Sequence, residues 1–410
     1  MEVQELKQAI RKQSRTLRKD MLTFTKELIR VRTENPPGLC YEECVGLIAE
    51  KLEQFALHPK IIKVRGGTTS HPRYCLLASY GSGSKVLYFH GHYDVVPAAT
   101  KHQYNPMVRN GKLYGRGASD MKAGLAAMVY AIRIMQRVGS EIPGRVCLVI
   151  VPDEETGGKL GTHYLFEHGY IKKKNSIGML MPEPTSGTIW NACRGAFSIM
   201  IRIKGKPVHV VLQQEGINAF EQMVELLNAL IKIKRSVERR KTSYAVATGE
   251  SRHSILMLGG VCQCGTNFNT VPGQCSFSVE RRVNPEENFN REKRRLLNLV
   301  DKFRKSGVNI TTTVLQEGEA VGSSADSYLA HCLAGSIRAV SSKRPQFRMC
   351  PGLLEIRYYL KNGIPAYAYG PGLLHRAHHP DEFVSIGRIY DCAAVYALTA
   401  IEALSRGGMG

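Results

Sequence analysis

The chain has 410 residues, a formal net charge of +21 at pH 7, 43% hydrophobic residues and 22% charged residues. This composition excludes a disordered chain and is typical of a globular protein long enough for two domains. No apolar run approaches the roughly 20 residues that span a bilayer, and the charged N-terminus lacks the apolar core of a signal peptide. We therefore expect a cytoplasmic protein with no membrane partner.

The positive charge is concentrated in basic runs at 172–174, 232–241 and 290–297. Basic surfaces attract nucleic acid without sequence preference and also steer small anions. The runs contain almost no aromatic residues that could stack on bases, so solvated helix faces are the favoured interpretation and no specific nucleic-acid partner is expected. The eleven cysteines form no CxxC pair, which predicts reduced and mostly buried thiols.

The first third of the chain alternates helix and strand patterns. Apolar residues at helical spacing predict a helix through Leu17 and Leu28 that stops before NPPG at 35–38, and a second helix from Cys44 to Phe55. A third apolar stripe runs from Leu125 to Met135. Short apolar runs separated by these helices predict a mostly parallel sheet covered on both faces: KIIKV, KVLYFH, VCLVIV and IGMLM.

The pattern changes near Gly195. A half-exposed strand, a long amphipathic helix, two antiparallel strands around NTVPG and another helix follow in turn, which indicates a β-α-β-β-α-β module of the ferredoxin-like kind. The α/β pattern resumes after about residue 313. The predicted fold class is α/β, with a discontinuous catalytic metal-binding domain at 1–195 and 313–410 and an inserted α+β lid and dimerisation domain at 196–312.

Histidine and carboxylate residues follow several of the apolar runs. In open parallel sheets, ligands collect beyond the carboxyl ends of the strands. Each motif alone is weak, because strands often end in His or Asp and an adjacent pair of Glu is usually a solvated turn. Together they predict a two-metal hydrolytic site in which a carboxylate such as Asp120 bridges the ions. The candidate residues are His92 and Asp94 in FHGHYDVVP, Asp120 in GRGASDMKAG, Glu154 and Glu155 in VIVPDEETGG, Glu183 in MLMPEPT and His378 in RAHHPDEF.

A set of motifs spread over residues 20 to 405 resembles one enzyme family. GHYDVVP, GRGASDMKAGLAAM, DEETGG, EPT, NTVPG, GPG and AHHPDEF together resemble the family of acetylornithine deacetylase, succinyl-diaminopimelate desuccinylase, aminoacylase and glutamate carboxypeptidase. As a set, the motifs are specific to this family but not to one substrate within it.

The resemblance implies a metal role for five residues. His92 and Glu183 would hold one zinc ion, Glu155 and His378 would hold the other, and Asp120 would bridge them. Two Zn²⁺ per subunit are the expected cofactors, although Co²⁺ and Mn²⁺ occupy similar ligand sets.

The resemblance also implies how the site handles protons. Glu154 would be the general base, and Asp94 would orient His92. In relatives the peptide bond after the bridging aspartate is often cis, so we expect a cis bond between Asp120 and Met121.

Four further residues match substrate-binding positions of the family. His209 would stabilise the oxyanion, commonly from the partner subunit, which favours a homodimer formed through the lid. Asn269 would contact substrate, Arg282 would bind a substrate carboxylate, and Gly372 would offer backbone N–H groups near it. Simpler alternatives are a surface role for His209 and an ion pair between Arg282 and Glu280.

The C-terminal histidines leave a choice among three neighbours. His375, His378 and His379 lie close together, and the family spacing of His, three residues and Glu selects His378 with Glu382. Two segments depart from the family pattern. Val210 and Val211 replace small polar residues, and 354–357 lacks a threonine, which puts a succinyl substrate in doubt.

These observations predict a metal-dependent amidohydrolase that cleaves an N-acyl amino acid. A dizinc-bound water would attack the acyl carbon, with Glu154 as base. A dipeptidase or carboxypeptidase of the same family, acting on short peptides, is the closest alternative. A non-catalytic polyanion-binding protein is a distant alternative, because it predicts the loss of a metal ligand and all are present.

Overall fold

The chain divides into two units in its computed structural model, which describes residues 3–66, 68–139, 141–247, 249 and 251–406. The first unit comprises Met1–Asn191, Ser323–Arg348 and Tyr358–Gly410, and the second comprises Ala192–Gly322 and Met349–Arg357. The second unit thus extends beyond the predicted range 196–312 at both ends. Its assignment as a lid and dimerisation domain stays a prediction.

The helices are α1 (Val3–Thr16), α2 (Arg18–Arg30), α3 (Tyr41–Gln54), α4 (Lys122–Arg137), α5 (Tyr164–Glu167), α6 (Ala219–Val237), α7 (Phe289–Lys305), α8 (Tyr328–Ser341), α9 (Ile356–Lys361) and α10 (Ile386–Arg406). The strands are β1 (Lys60–Val64), β2 (Arg73–Tyr80), β3 (Lys85–His92), β4 (Met107–Arg109), β5 (Lys112–Tyr114), β6 (Gly144–Val151), β7 (Ser176–Met181), β8 (Ile189–Cys193), β9 (Gly195–Lys204), β10 (Ile255–Cys264), β11 (Gln274–Val283), β12 (Asn309–Gly318), β13 (Val321–Gly322), β14 (Phe347–Cys350), β15 (Ala366–Ala368) and β16 (Phe383–Ser385). Within the described ranges, no helix is both long enough and apolar enough to cross a membrane.

The central sheet of the first unit is parallel in its middle. Its strand order is β1-β2-β6-β3-β7-β15-β8, and the four strands β6, β3, β7 and β15 run parallel to one another. The flanking strands β1, β2 and β8 are antiparallel to their neighbours. The predicted mostly parallel α/β sheet is therefore confirmed for the centre. Consequently the chain leaves β3, β6, β7 and β15 at one common edge.

Helix α4 is buried on nearly every face, since it packs between the sheet, α2 and α10. Its first residue, Lys122, is fully buried, and its Nζ donates to the carbonyl oxygens of Leu28 at 2.8 Å and Val31 at 2.6 Å. Burial lowers the pKa of Lys122 to about 8. These two bonds connect the end of α2 to the start of α4, two residues after Asp120.

A small antiparallel sheet, in the order β16-β5-β4, joins two distant parts of the sequence. Phe383 of β16 pairs with Tyr114 of β5, and the N–H of Gly115 donates to the carbonyl oxygen of Glu382 at 3.1 Å. This pairing brings Glu382 to the loop that precedes α4.

The second unit contains an antiparallel sheet in the order β10-β11-β9-β12, with α6 and α7 packed on it. This is the β-α-β-β-α-β arrangement that the sequence predicts, and the strand order is typical of ferredoxin-like modules. Three apolar side chains of α6 remain exposed, namely Phe220, Val224 and Ile231. The homodimer stays a prediction.

The cysteines are mostly buried thiols, with one exception to the predicted reduced state. Cys44, Cys75 and Cys392 are examples of buried free thiols. Cys264 of β10 and Cys275 of β11 are joined as a disulfide. The physical reason is their register, because the two residues face each other across the antiparallel pair.

Two glycines in helices, one in a crowded place and one in open space, allow a paired test of helix packing. A Cβ at Gly124 in α4 would lie 2.5 Å from the carbonyl oxygen of Pro182, whereas a Cβ at Gly46 in α3 meets nothing within 4 Å. We expect Gly124→Ala to lower the free energy of unfolding by about 1–3 kcal/mol through overpacking. Gly46→Ala should raise it by about 0.5–1 kcal/mol, since alanine favours the helix. Denaturant unfolding measures both, and equal effects would contradict the close approach of α4 to β7.

Candidate metal centre

The common edge of the parallel strands brings the candidate residues together. His92 is the last residue of β3, Glu154 and Glu155 lie in the 3₁₀ turn after β6, and Glu183 follows β7. Asp120 lies two residues before the start of α4, and its peptide bond to Met121, the residue that caps the helix, is cis, as expected. The loop after β15 supplies His378.

Two groups of potential ligands share the Asp120 carboxylate. His92, Asp120 and Glu183 form one group, and Asp120, Glu155 and His378 form the other. The Nε2 of His92 lies 3.3 Å from Asp120 Oδ1 and 3.9 Å from Glu183 Oε1. The Nε2 of His378 lies 3.5 Å from Asp120 Oδ2 and 3.1 Å from Glu155 Oε1. Each oxygen of Asp120 therefore faces a different histidine.

The donor atoms fit a pair of divalent cations. His92 Nε2 and Asp120 Oδ1 are both buried, and neither makes a hydrogen bond of ordinary geometry within the described part of the chain. Imidazole nitrogens with carboxylate oxygens suit zinc, and also cobalt or manganese. A carboxylate whose two oxygens face separate ligand groups is the feature that a shared site for two ions requires.

The electrostatics of the site favour positive charge between the carboxylates. Burial opposes charge on His92, but Asp120, Asp94 and Glu154 outweigh it and raise the pKa of His92 well above its usual value. Hydrogen bonds with Asp120 and Glu155 raise the pKa of His378 to about 11. Burial works against ionisation of Asp120, but the two imidazoles hold its pKa below the usual value. The same carboxylate field that stabilises imidazolium would attract a divalent cation.

Asp94 contacts both His92 and the turn that contains Glu154 and Glu155. The Nδ1 of His92 lies 3.0 Å from the carbonyl oxygen of Asp94 and 3.3 Å from its Oδ1, and the orienting role of the Asp94 carboxylate stays a prediction. Its carboxylate also accepts the N–H groups of Glu154 at 3.2 Å and Glu155 at 3.1 Å, and the side-chain amide of Asn35 at 2.8 Å. Sequence reasoning interpreted Asn35 only as part of a helix stop. The anchoring of the Glu154–Glu155 turn by Asp94 was missed, since nothing local in the sequence signals it.

Glu382 performs a similar task for the loop that carries Asp120. One oxygen accepts the N–H groups of Ser119 at 2.8 Å and Asp120 at 3.0 Å, and the other accepts Arg116 Nη1 at 2.7 Å. Burial raises the pKa of Glu382 to about 7, against the effect of Arg116 and the two N–H groups. The family spacing pointed to Glu382 as a marker for His378. The hydrogen bonds of Glu382 to the Asp120 loop, and its ion pair with Arg116, are visible only in the structure.

The loop between β15 and β16 brings His378 to the site. His378 has φ +62°, an unusual backbone conformation for a residue with a side chain. His375 and His379 are exposed, and the structure places only His378 against Asp120 and Glu155 among the described residues. Gly372 is buried, and a Cβ there would lie 2.2 Å from the carbonyl oxygen of Ser119, so this loop packs directly on the Asp120 loop.

The other predicted substrate residues belong to the second unit. His209 is exposed, and its Nδ1 accepts the N–H of Val211 at 3.4 Å. Asn269 is half-buried and lies beside it, since its carbonyl oxygen accepts the N–H of Val210 at 2.9 Å. Val210 and Val211 are both exposed.

Arg282 of β11 forms the ion pair that the sequence left open as an alternative. Its Nε lies 2.5 Å from Glu280 Oε1. The catalytic role of His209 and the substrate-binding roles of Asn269, Arg282 and Gly372 stay predictions.

The parallel sheet and the paired ligand groups at its edge define a metal-dependent hydrolase. The sequence profile of Peptidase family M20/M25/M40 matches residues 88–402. The chain belongs to this family, and it is a hydrolase that acts on amide or peptide bonds. The distant alternative of a non-catalytic polyanion-binding protein is therefore wrong.

Relatives and solved structures cover nearly the whole chain. A probable succinyl-diaminopimelate desuccinylase from Staphylococcus epidermidis is 26% identical over 391 residues, covering 89% of this chain and 93% of the relative. The metallo-carboxypeptidase Sso-CP2 from Sulfolobus solfataricus shares the fold with a TM-score of 0.77 at 18% identity, covering 93% of this chain and 99% of that one. The dipeptidase Dug1p from Saccharomyces cerevisiae gives a TM-score of 0.77 at 14% identity, with coverage of 98% and 99%.

Substitution of Glu382 tests its anchoring role. Glu382→Gln retains an oxygen for the two N–H groups but turns an amide N–H₂ toward the buried Arg116. We expect the free energy of unfolding to fall by about 3 kcal/mol and kcat/KM to fall by about tenfold or more. Denaturant unfolding and steady-state kinetics measure the two effects. The control is Asp381→Asn, an exposed neighbour, which should change stability by less than about 0.5 kcal/mol. Equal behaviour of the two variants would show that Glu382 does not anchor the loop.

Proposed function

We propose that the protein hydrolyses the amide bond of an N-acyl amino acid and releases a free amino acid and a carboxylate. One observation carries this proposal. The two oxygens of Asp120 face His92 on one side and His378 on the other, with Glu183 and Glu155 completing the two groups. This arrangement supports a shared pair of divalent ions, and its chemistry is the hydrolysis of acyl bonds by activated water.

In this proposal each ligand group holds one ion, which we take to be zinc. His92 and Glu183 would hold the first ion, Glu155 and His378 would hold the second, and Asp120 would contribute to both. When bound, the ions would lower the pKa of a water molecule and polarise the acyl carbonyl. Asp94 would keep His92 in a fixed orientation, because its carboxylate lies against Nδ1 and leaves Nε2 directed at Asp120.

Glu154 would carry the proton. It belongs to the turn whose backbone N–H donates to Asp94, and its carboxylate is close enough to His92 to raise the pKa of that imidazole. Its neighbour Glu155 faces His378, so the two adjacent glutamates occupy different places in the site. Glu154 would take a proton from the attacking water and later donate it to the leaving nitrogen.

The choice of substrate depends on the acyl group. Relatives named as succinyl-diaminopimelate desuccinylases favour an N-acyl amino acid. The segment 354–357 lacks the threonine of the family pattern, and this favours an acyl group less polar than succinyl. A peptidase is the second candidate, because a dipeptidase and a metallo-carboxypeptidase share the fold.

Replacement of the proposed base gives a direct test. Glu154→Gln should lower kcat by about 10²–10⁴-fold, since the amide cannot accept the proton from water. The metal content by elemental analysis and the thermal midpoint should stay close to those of the parent protein. Glu167→Gln, on an exposed glutamate of α5, is the matched control and should leave kcat unchanged. Undiminished turnover by Glu154→Gln would reject Glu154 as the base.

A substrate panel tests the reaction itself. We expect the metal-loaded protein to hydrolyse N-acetyl and other N-acyl amino acids with a higher kcat/KM than dipeptides, and thorough chelation should abolish both activities. Because the segment 354–357 lacks the threonine of the family pattern, N-acetyl substrates should exceed N-succinyl substrates in kcat/KM. A preference for dipeptides would establish the peptidase alternative. Full activity after chelation would overturn the metal-dependent mechanism.

A further inference from the structure

Two adjoining cavities of the first unit share two of their lining residues. The larger has a volume of about 370 Å³ and the smaller about 250 Å³, and both are lined by Val340 and Asp391. None of their lining residues is a candidate metal ligand.

The lining of the cavities is strongly positive. Five side chains carry positive charge, and Asp391 is the single carboxylate among the lining residues. Cations that line a concave surface with low-dielectric walls concentrate the positive potential there. The five basic residues come from three separate segments of the sequence, namely Arg11, Arg15 and Arg18 in the first, Lys343 in the second and Arg388 in the third.

None of these five side chains forms an ion pair within the described part of the chain. All of them except Arg15 are nonetheless near enough to Asp391 to oppose the rise that burial causes in the pKa of its carboxyl. Arg11 donates to the carbonyl oxygens of Ala339 and Val340, and Arg388 donates to the carbonyl oxygen of Gly370 at 3.0 Å. The Arg18 guanidinium lies 5.1 Å from the centre of the Tyr390 ring. The fold therefore holds three guanidinium groups in place while leaving their charge available to an anion.

The cavities are also lined by serine hydroxyl groups and by apolar side chains. Ser186 Oγ accepts the N–H of Leu374 at 3.0 Å, so its own proton remains available for a ligand. Ser14 and Ser341 already donate to backbone carbonyl oxygens. One wall of the larger cavity is apolar and is formed by Ile337, Val340, Pro345 and Tyr369. Such a wall suits a ligand that has an uncharged part.

We propose that the two cavities form one binding site for a phosphorylated small molecule, with the phosphate groups held by the arginines and Lys343. Guanidinium groups bind phosphate oxygens through paired N–H donors, and several such groups suit a ligand with more than one phosphate. The combined volume and the apolar wall fit a nucleoside polyphosphate, whereas inorganic polyphosphate would use the basic part alone.

Calorimetry with tripolyphosphate on the metal-loaded protein tests the site. We expect saturable binding that weakens at least tenfold in a triple variant with Arg15→Gln, Arg18→Gln and Lys343→Gln. The matched control removes the same charge from the exposed run at 172–174, with Lys172→Gln, Lys173→Gln and Lys174→Gln, and should change affinity less than twofold. Both variants retain every candidate metal ligand, so contact between tripolyphosphate and the metal centre would affect them equally. Equal losses, or no saturable binding, would overturn the proposal.

A second variant keeps the test decisive if the triple variant folds poorly. Asp391→Asn removes the single lining carboxylate and should tighten tripolyphosphate binding about threefold or more, a gain that misfolding cannot produce. Unchanged or weaker binding would count against the site.

ATP distinguishes the two sources of phosphate. Tighter binding of ATP than of tripolyphosphate would assign the apolar wall to a nucleoside, and equal binding would assign the site to polyphosphate alone. Binding of a double-stranded oligonucleotide without binding of tripolyphosphate would replace the proposal with a general attraction to polyanions.

Discussion

The main physical constraint on this protein is the concentration of acidic side chains at one edge of a sheet. Asp120, Glu155 and Glu183 converge with two imidazoles, and the ligand atoms of each group lie within 4.8 Å of one another. Like charges at such distances repel strongly in a partly buried setting. The arrangement persists because parallel strands deliver these side chains to the same edge and because the imidazoles, or bound cations, offset the negative charge.

Two further carboxylates fix the loops that carry the ligands. Asp94 accepts backbone N–H groups from the Glu154–Glu155 turn, and Glu382 accepts them from the Asp120 loop. Neither belongs to the two ligand groups. A carboxylate that is surrounded by backbone donors positions a loop, whereas the carboxylates of Asp120, Glu155 and Glu183 face imidazole nitrogens. The surroundings of each acid therefore decide its role, although all five have the same chemistry.

Much of the fold and of the candidate site could be predicted because the relevant patterns are local. Apolar runs that end in His92, Glu154 or Glu183 indicate strands and the edge at which their ends meet. The β-α-β-β-α-β pattern after Gly195 likewise follows from alternation and helical periodicity within short segments. The choice of His378 over His375 and His379 depended on the family spacing to Glu382. No local property separates three neighbouring histidines.

The sequence by itself determined the kinds of elements, the parallel centre of the sheet and the residues that could bind metal, since these depend on periodicity and side-chain chemistry. Only the tertiary structure decided which groups meet. The anchoring of Asp94 by Asn35, the burial of Lys122 beneath α2, the Cys264–Cys275 pair and the basic cavities around Asp391 all join residues that are distant in the sequence or opposite in register. Such contacts depend on how the elements pack in three dimensions, and no periodic pattern in a single sequence reports that packing.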